Sequence, residues 1–241
     1  MTIEVDLPVP RRALAIGAHA DDVEFGCGAT LAKWADAGAH LTMCICTDGS
    51  KGTWEHDADL GALIASREDE QRDAAAILGV ADVVFLRYVD GELESGLGPR
   101  AAVSRVIREH CPDVVLGHDP WQPYRIHQDH RHAGLLAAEG IVAARDPHFF
   151  PELGVAPHRP RTLLCFEPGR VTHVEDVEGY VDRKIDALLA HRSQWRSTMA
   201  IDDRPDDQRA AFARMLHDEA RAAGLRAGLR AGEAFARLDD L

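Results

Sequence analysis

Two short segments concentrate the side chains that hold metals and move protons. The first reads His19-Ala20-Asp21-Asp22; the second reads His127-Gln128-Asp129-His130, with Arg131 and His132 behind it. An imidazole and a carboxylate three residues apart on a tight turn can converge on one cation, and neutral histidine with aspartate is a common zinc donor set. The neighbouring carboxylate is then free for another task. His127 and His130, also three apart, fall close to one face of a helix's first turn, so a third ligand can come from there. Each segment alone reads equally well as a helix start, with Asp21 or Asp22, or Asp129, as the cap and the histidines exposed around it. Taken together they favour a metal site, because chance would have to place both on loops at one sheet edge.

The elements that would position them follow from the hydrophobic pattern. Short apolar runs alternate with helix-length segments, which predicts an α/β fold: a Rossmann-like three-layer domain with a mostly parallel, buried sheet and helices on both faces. Strands are predicted over 13–18, 41–47, 83–86, 114–117 and 162–166. Helices are predicted over about 26–37, 60–78, 100–110, 129–145 and 177–194, with Gly38 and Gly79 as stops, followed by an alanine- and arginine-rich helical tail. The His19 turn follows the first strand and the His127 segment follows the fourth. Both loops therefore open at the carboxyl ends of parallel strands, where open α/β sheets bind ligands. The whole chain, 1–241, reads as one domain, with 14–145 as the catalytic core and 146–241 as a region for specificity and packing.

Composition removes several function classes. With 27 basic and 40 acidic residues the formal net charge is −13, which opposes binding to nucleic acid or an anionic membrane surface. No stretch approaches the ~20 apolar residues of a membrane span, and the N-terminus lacks the order of a secretory signal, so the expected location is the cytoplasm. The cysteines at 27, 44, 46, 111 and 165 are odd in number and mostly lie in apolar runs, as reduced thiols packed like small hydrophobes. Gly26-Cys27-Gly28, with Asp48 at the end of the second strand, imitates a dinucleotide fingerprint. The third glycine is missing, however, and two carboxylates occupy the turn where pyrophosphate would sit. The two glycines are better read as allowing close helix-to-sheet packing. No G-x-S-x-G elbow occurs, and Gly49-Ser50-Lys51-Gly52 lacks phosphate-loop spacing.

The segments AIGAHADDVEFGCGATLAKWADAG, TDGSKGTW, SREDEQRDAAAILGV, LRYVDGEL and HDPWQPYRIHQDHRHAG, and more weakly DRKIDALLAHRSQW, resemble the LmbE/PIG-L-type zinc N-deacetylases. Two positions depart from that family's usual pattern: Ala20 and Gln128 stand where it has proline. The resemblance implies His19, Asp22 and His130 as zinc ligands and Asp21 as the general base. It also implies His127 as the group facing the oxyanion, Asp129 as the residue orienting His127, and Arg67 and Asp90 as substrate contacts.

The chemistry so implied is hydrolysis of an N-acetyl amide. Three protein ligands leave zinc a place for water, Asp21 takes a proton and returns it to the leaving nitrogen, and zinc with His127 stabilises the oxyanion. The expected partner is a small N-acylated molecule, first an N-acetylglucosamine-type sugar or conjugate, then an amide in a thiol conjugate or another non-sugar amine. Two histidines and a carboxylate also suit Fe(II) or another divalent ion, and a metal-dependent binding module without turnover is the alternative of a different class. A homo-oligomer is compatible with all of these readings. Glu167, Arg170, His191 and Gln194 are further polar groups near strand or helix ends, within possible reach of the pocket.

Overall fold

The structure is a computed structural model that describes residues 2–202 and 204–241. Its centre is one sheet of eight strands: β1 (Glu4–Val5), β2 (Arg12–Gly17), β3 (His40–Thr47), β4 (Asp82–Tyr88), β5 (Val114–His118), β6 (Thr162–Phe166), β7 (His173–Asp176) and β8 (Gly232–Asp239). The spatial order is β1-β7-β8-β6-β5-β2-β3-β4. All pairings are parallel except those of β8, which runs antiparallel between β6 and β7.

Helices cover both faces: α1 (Asp22–Asp36), α2 (Leu60–Leu78), α3 (Leu97–His110), α4 (Gln128–Arg145), α5 (Val181–Ala190) and α6 (Pro205–Leu225). Strands such as β2 and β3 read as continuous apolar runs because they are buried on both sides. On one side Leu41, Met43 and Ile45 meet Leu31 and Trp34 of α1 and Leu78 of α2. On the other, Leu14, Ile16 and Val115 meet Val103 and Ile107 of α3 and Leu136 and Ile141 of α4. A third cluster joins α5 to α6 through Val181, Ile185, Leu188, Phe212 and Leu216. Local signals set the helix ends. The Asp59 carboxylate accepts the Ala62 N–H at 3.0 Å at the start of α2, and Gly79, at φ 78°, ends it in the left-handed conformation that glycine adopts freely.

Three expectations need correction. The first helix begins at Asp22, four residues before the predicted start, and is broken at Cys27, whose φ of −153° and ψ of 19° are not helical. The break is held from outside the helix. Lys184 Nζ donates to Phe25 O at 2.7 Å, while Glu233 accepts the N–H groups of Ala29 and Thr30 at 3.1 and 2.7 Å. Lys184 and Glu233 pair at 2.8 Å, so the polar groups freed by the break are satisfied in a buried setting. Second, the tail is not helical throughout, because after α6 it enters the sheet as β8. Its Ala/Arg composition masks an alternation in which Phe235 faces one core and Ala236 the other. Third, β1 and β7, of two and four residues, are too short to give a periodic signal, and the helix predicted over 177–194 is regular only over α5.

Of the paired glycines, Gly26 serves close helix-to-sheet packing as expected. A Cβ on Gly26 would lie 2.4 Å from the Phe166 ring of β6, so helix and sheet approach there as only glycine permits. Gly28 instead lies against Lys184 and Leu78, which belong to neighbouring helices.

Candidate active site

Because β5 pairs directly with β2, the turn after one and the loop after the other open side by side at the carboxyl edge of the sheet. The two motifs meet there as their order predicts, over a cavity of about 600 Å³ lined by His19, Asp21, Asp22, Arg67, Asp90, His127 and His130 among others. Neither motif acts as a helix cap through its side chains. Asp21 precedes α1 and His127 precedes α4, and neither side chain bonds to its helix's first turn.

Asp22 is the hub. Its Oδ2 accepts the His19 backbone N–H at 2.7 Å and lies 3.2 Å from His118 Nε2 and 3.3 Å from His19 Nδ1, while Oδ1 lies 3.2 Å from His130 Nε2. Burial opposes its charge, yet the three histidines hold its carboxyl well below the usual range. On its far side His19 Nε2–H donates to Asp129 Oδ2 at 3.2 Å and lies 3.3 Å from Asp90 Oδ1. Burial pulls the His19 imidazole down, but Asp22, Asp129 and Asp90 outweigh it and raise its pKa well above the ordinary value. Three sets of side chains bring donor atoms within 4.8 Å of one another: His19 with His127 and His130, Asp22 with His118 and His130, and His19 with Asp90 and Asp129. The expected trio of His19, Asp22 and His130 is spread across these overlapping sets.

Asp21 stands apart from this web although it adjoins Asp22. It is held in the left-handed region at φ 83°, where its backbone N–H donates to Gln71 Oε1 at 3.1 Å. Such a conformation is costly for a non-glycine residue and persists only where its surroundings impose it. The turn thereby sends adjacent carboxylates in different directions, and the buried Asp21 Oδ2 has no hydrogen-bond partner. Burial raises its pKa, Arg67 lowers it and Asp22 raises it, leaving it pushed up to about 6.

The other expected residues are present with altered partners. Asp129 accepts the N–H groups of Gly91 and Leu93 at 2.6 and 3.3 Å and faces His19, so in this structure it orients His19 and the 91–93 loop rather than His127. The His127 ring stacks on His130 with centroids 4.5 Å apart, and burial together with His19 and His130 lowers its pKa. Arg67 is buried and donates to Ala20 O and Gly49 O at 2.9 and 3.0 Å, bridging the first motif to the loop after β3. Asp90 accepts the Lys51 N–H at 3.0 Å. Asp48 accepts the N–H groups of Ser50 and Asp90 at 2.9 and 3.1 Å, a loop-shaping role.

Of the further polar groups, Glu167 and Gln194 line the cavity, His191 is buried 3.6 Å from Glu24 behind Asp21, and Arg170 is exposed outside the lining. His118 was not singled out by sequence. Its signal was positional: it is the last residue of β5, at the same sheet edge as the other ligand-type side chains.

The description "PIG-L: GlcNAc-PI de-N-acetylase" matches residues 14–141, the span that carries both motifs. The chain belongs to this family. A diacetylchitobiose deacetylase of Thermococcus kodakarensis is 33% identical over 188 residues, 77% of this chain and 70% of that protein. A 1D-myo-inositol 2-acetamido-2-deoxy-alpha-D-glucopyranoside deacetylase of Geodermatophilus obscurus is 32% identical over 223 residues, covering 81% of this chain and 72% of its own. Among solved structures, the N,N'-diacetylchitobiose deacetylase of Pyrococcus horikoshii, complexed with its inhibitor MPG, superposes with a TM-score of 0.85 at 29% identity. The match spans 95% of this chain and 84% of that one. In this PIG-L chain, as the fold requires, the two motifs share one crevice. Among the described residues no helix is long and apolar enough to cross a membrane.

Proposed function

We propose that this PIG-L family protein is a zinc-dependent N-deacetylase that releases acetate and a free amine from an N-acetylglucosamine-type sugar or conjugate. The observation that carries the reading is the division between adjacent carboxylates. Asp22 is enclosed by imidazoles, whereas Asp21, with an unpartnered buried oxygen, lines the cavity. One is placed to hold a cation and the other to move a proton.

The residues fit a divalent ion by the chemistry of their donor set. His19, Asp22 and His130 supply two imidazoles and a carboxylate. With Nε2–H donated to Asp129, Nδ1 is the His19 nitrogen on the Asp22 side, and a cation bound there would take the place of its proton, in the carboxylate-backed arrangement typical of metal-binding histidines. The carboxylates of Asp90 and Asp129 add negative charge around the ring. Bound there, the ion supplies Lewis acidity, which makes water a nucleophile at neutral pH and polarises the acyl oxygen.

The remaining work falls to the chain. Asp21, anionic at neutral pH yet more basic than an ordinary carboxylate, takes a proton from water and delivers it to the departing nitrogen. His127, kept neutral by its lowered pKa, offers an N–H to the developing oxyanion. Arg67 and Asp90 border the cavity where sugar hydroxyls would be held, and Arg67 also fixes the Asp21 turn through Ala20 O. Relatives named as deacetylases of diacetylchitobiose and of an inositol-linked acetamido sugar support the substrate class.

The test is metal content of protein purified without added metal, followed by free-amine assays on N-acetyl sugars, their inositol conjugates and non-sugar acetamides. The expected result is zinc with chelator-sensitive activity on the sugar amides. Iron with oxygen-dependent turnover, or bound metal without turnover of any amide, overturns the proposal. Activity confined to non-sugar amides overturns the substrate class alone.

A further inference from the structure

The two oxygens of Asp22 are not equivalent. Oδ2 accepts the His19 backbone N–H at 2.7 Å and faces His118 Nε2 at 3.2 Å and His19 Nδ1 at 3.3 Å, while Oδ1 faces His130 Nε2 at 3.2 Å. A carboxylate can only accept, so His118 Nε2 carries a hydrogen aimed at Oδ2. Across the same ring, Nδ1 lies 3.1 Å from Glu167 Oε2, again an acceptor. Arg125 closes the chain, with Nη1 donating to Glu167 Oε2 at 2.7 Å and Nη2 to Glu167 O at 3.2 Å. Donors and acceptors alternate along it: guanidinium, carboxylate, imidazole ring, carboxylate. The His118 ring is held in plane by stacking on His130 at 4.3 Å and by the edge of Phe166 at 4.6 Å.

The backbone is built to present these groups. His118 ends β5 and pairs in register with Phe166 of β6, and Glu167 follows at φ 50°, in the left-handed region. Asp119 ties the two strand ends together. Its N–H donates to Phe166 O at 3.0 Å, and its carboxylate accepts the N–H groups of Trp121 and Gly169, each at 2.9 Å. Arg125 lies two residues before His127, so its anchor on Glu167 also restrains the loop that carries that histidine.

We propose that Arg125, Glu167 and His118 form a positioning relay that holds Asp22 through its Oδ2 and so fixes the direction in which its carboxylate meets the ion. The proposal rests on Asp22 being a metal ligand. It makes His118 a donor to the ligand, not a ligand itself. Partners of this kind, one step from the metal, typically change its affinity by about 10–100-fold when removed.

The experiment compares His118→Leu and His118→Gln in the full chain. A glutamine amide can place an N–H near the position of the imidazole Nε2, whereas leucine cannot. Zinc affinity is read by competition with a chromophoric chelator, and coordination by the visible spectrum of the cobalt(II)-substituted protein. The expected result is at least about 10-fold weaker zinc binding with an altered cobalt spectrum for His118→Leu, and values within about threefold of the parent with its spectrum for His118→Gln. Equal losses in both variants would make His118 a ligand, and unchanged affinity in both would make the chain merely structural; either result overturns the proposal. If His118→Leu does not fold, Glu167→Gln decides. A loss of about 3–10-fold at unchanged melting temperature supports the relay, and parental affinity overturns it. Because the readout is affinity, a protein that follows this pattern but hydrolyses no N-acetyl amide refutes the deacetylase reading and leaves the relay standing. A deacetylase with parental affinity in both variants does the reverse.

Discussion

Substituting Gly26 by alanine tests what the paired glycines are for. The added Cβ would lie 2.4, 2.5 and 2.8 Å from three carbons of the Phe166 ring, against an ordinary contact of roughly 3.4–4 Å, so ring and helix must part by about 1 Å. Phe166 is fully buried and its edge meets His118, so it has no free direction of retreat. Overpacking of this kind costs about 1–3 kcal/mol. For a domain of this size, about 2 kcal/mol lowers the melting temperature by roughly 4–8 °C. Gly28 supplies the control. Its Cβ would meet Lys184 Cγ at 3.3 Å and Leu78 Cδ1 at 3.6 Å, a tight contact with a flexible stem and an ordinary one, so alanine there should be close to neutral. Calorimetry of both variants, with and without zinc, is the assay. Gly26→Ala should also weaken zinc binding, since displacement of Phe166 moves His118 against Asp22. Equal melting temperatures for the two variants would refute the packing argument.

Asp21→Asn should retain zinc within about twofold by metal analysis while kcat falls by about 10²-fold or more, the scale of general acid–base catalysis; loss of metal from this variant with retention in Asp22→Asn would reverse the two roles. Arg67→Ala should raise KM and also lower the melting temperature by several degrees, since two buried carbonyls lose their donor; an unchanged melting temperature would disprove the bridging role. Glu175, fully buried beside Lys33, His173 and the Leu7 N–H, is raised by burial but pulled more strongly down to about 2 by those partners. Its carboxylate therefore contributes stability that is complete above about pH 4.5 and is lost as pH falls toward 2, about 3 kcal/mol at pH 7 and about 1 kcal/mol at pH 3. Urea unfolding of Glu175→Gln at pH 7, 4 and 3 should show the gap from the parent closing as pH falls, and a constant gap contradicts the linkage.

Much of this site was legible because the chemistry and the topology are both local in sequence. His19 to Asp22 and His127 to His130 are contiguous, and the apolar runs before them assign both to one sheet edge without further information. The partners that tune the site were not legible, because they come from far along the chain. Gln71 fixes Asp21 across 50 residues, and Glu167 reaches His118 across 49. A side chain's partner depends on which strands become neighbours, and β8 shows how that fails: no local pattern announces a strand that inserts antiparallel between β6 and β7. The partners of Asp129 were hidden for a related reason. Its spacing from His127 was visible, but the 91–93 backbone that claims its carboxylate was not.

The break in α1 has a consequence for the order in which the protein can be made. The acceptor for the Ala29 N–H is Glu233, 204 residues later, on a strand that lies between two others in the sheet. A chain emerging from the ribosome presents β2 through β5 and their helices first, whereas a single domain folds as a unit. Until residues 232–239 have left the tunnel, the helix that begins with Asp22 lacks its outside support, and the edges of β6 and β7 lie open to unwanted pairing. Pairings this distant in sequence form slowly. The His19–Asp22 turn is thus among the first parts of the chain to be synthesised and among the last to be braced, so a product lacking only these residues would lose an interior strand rather than a dispensable end.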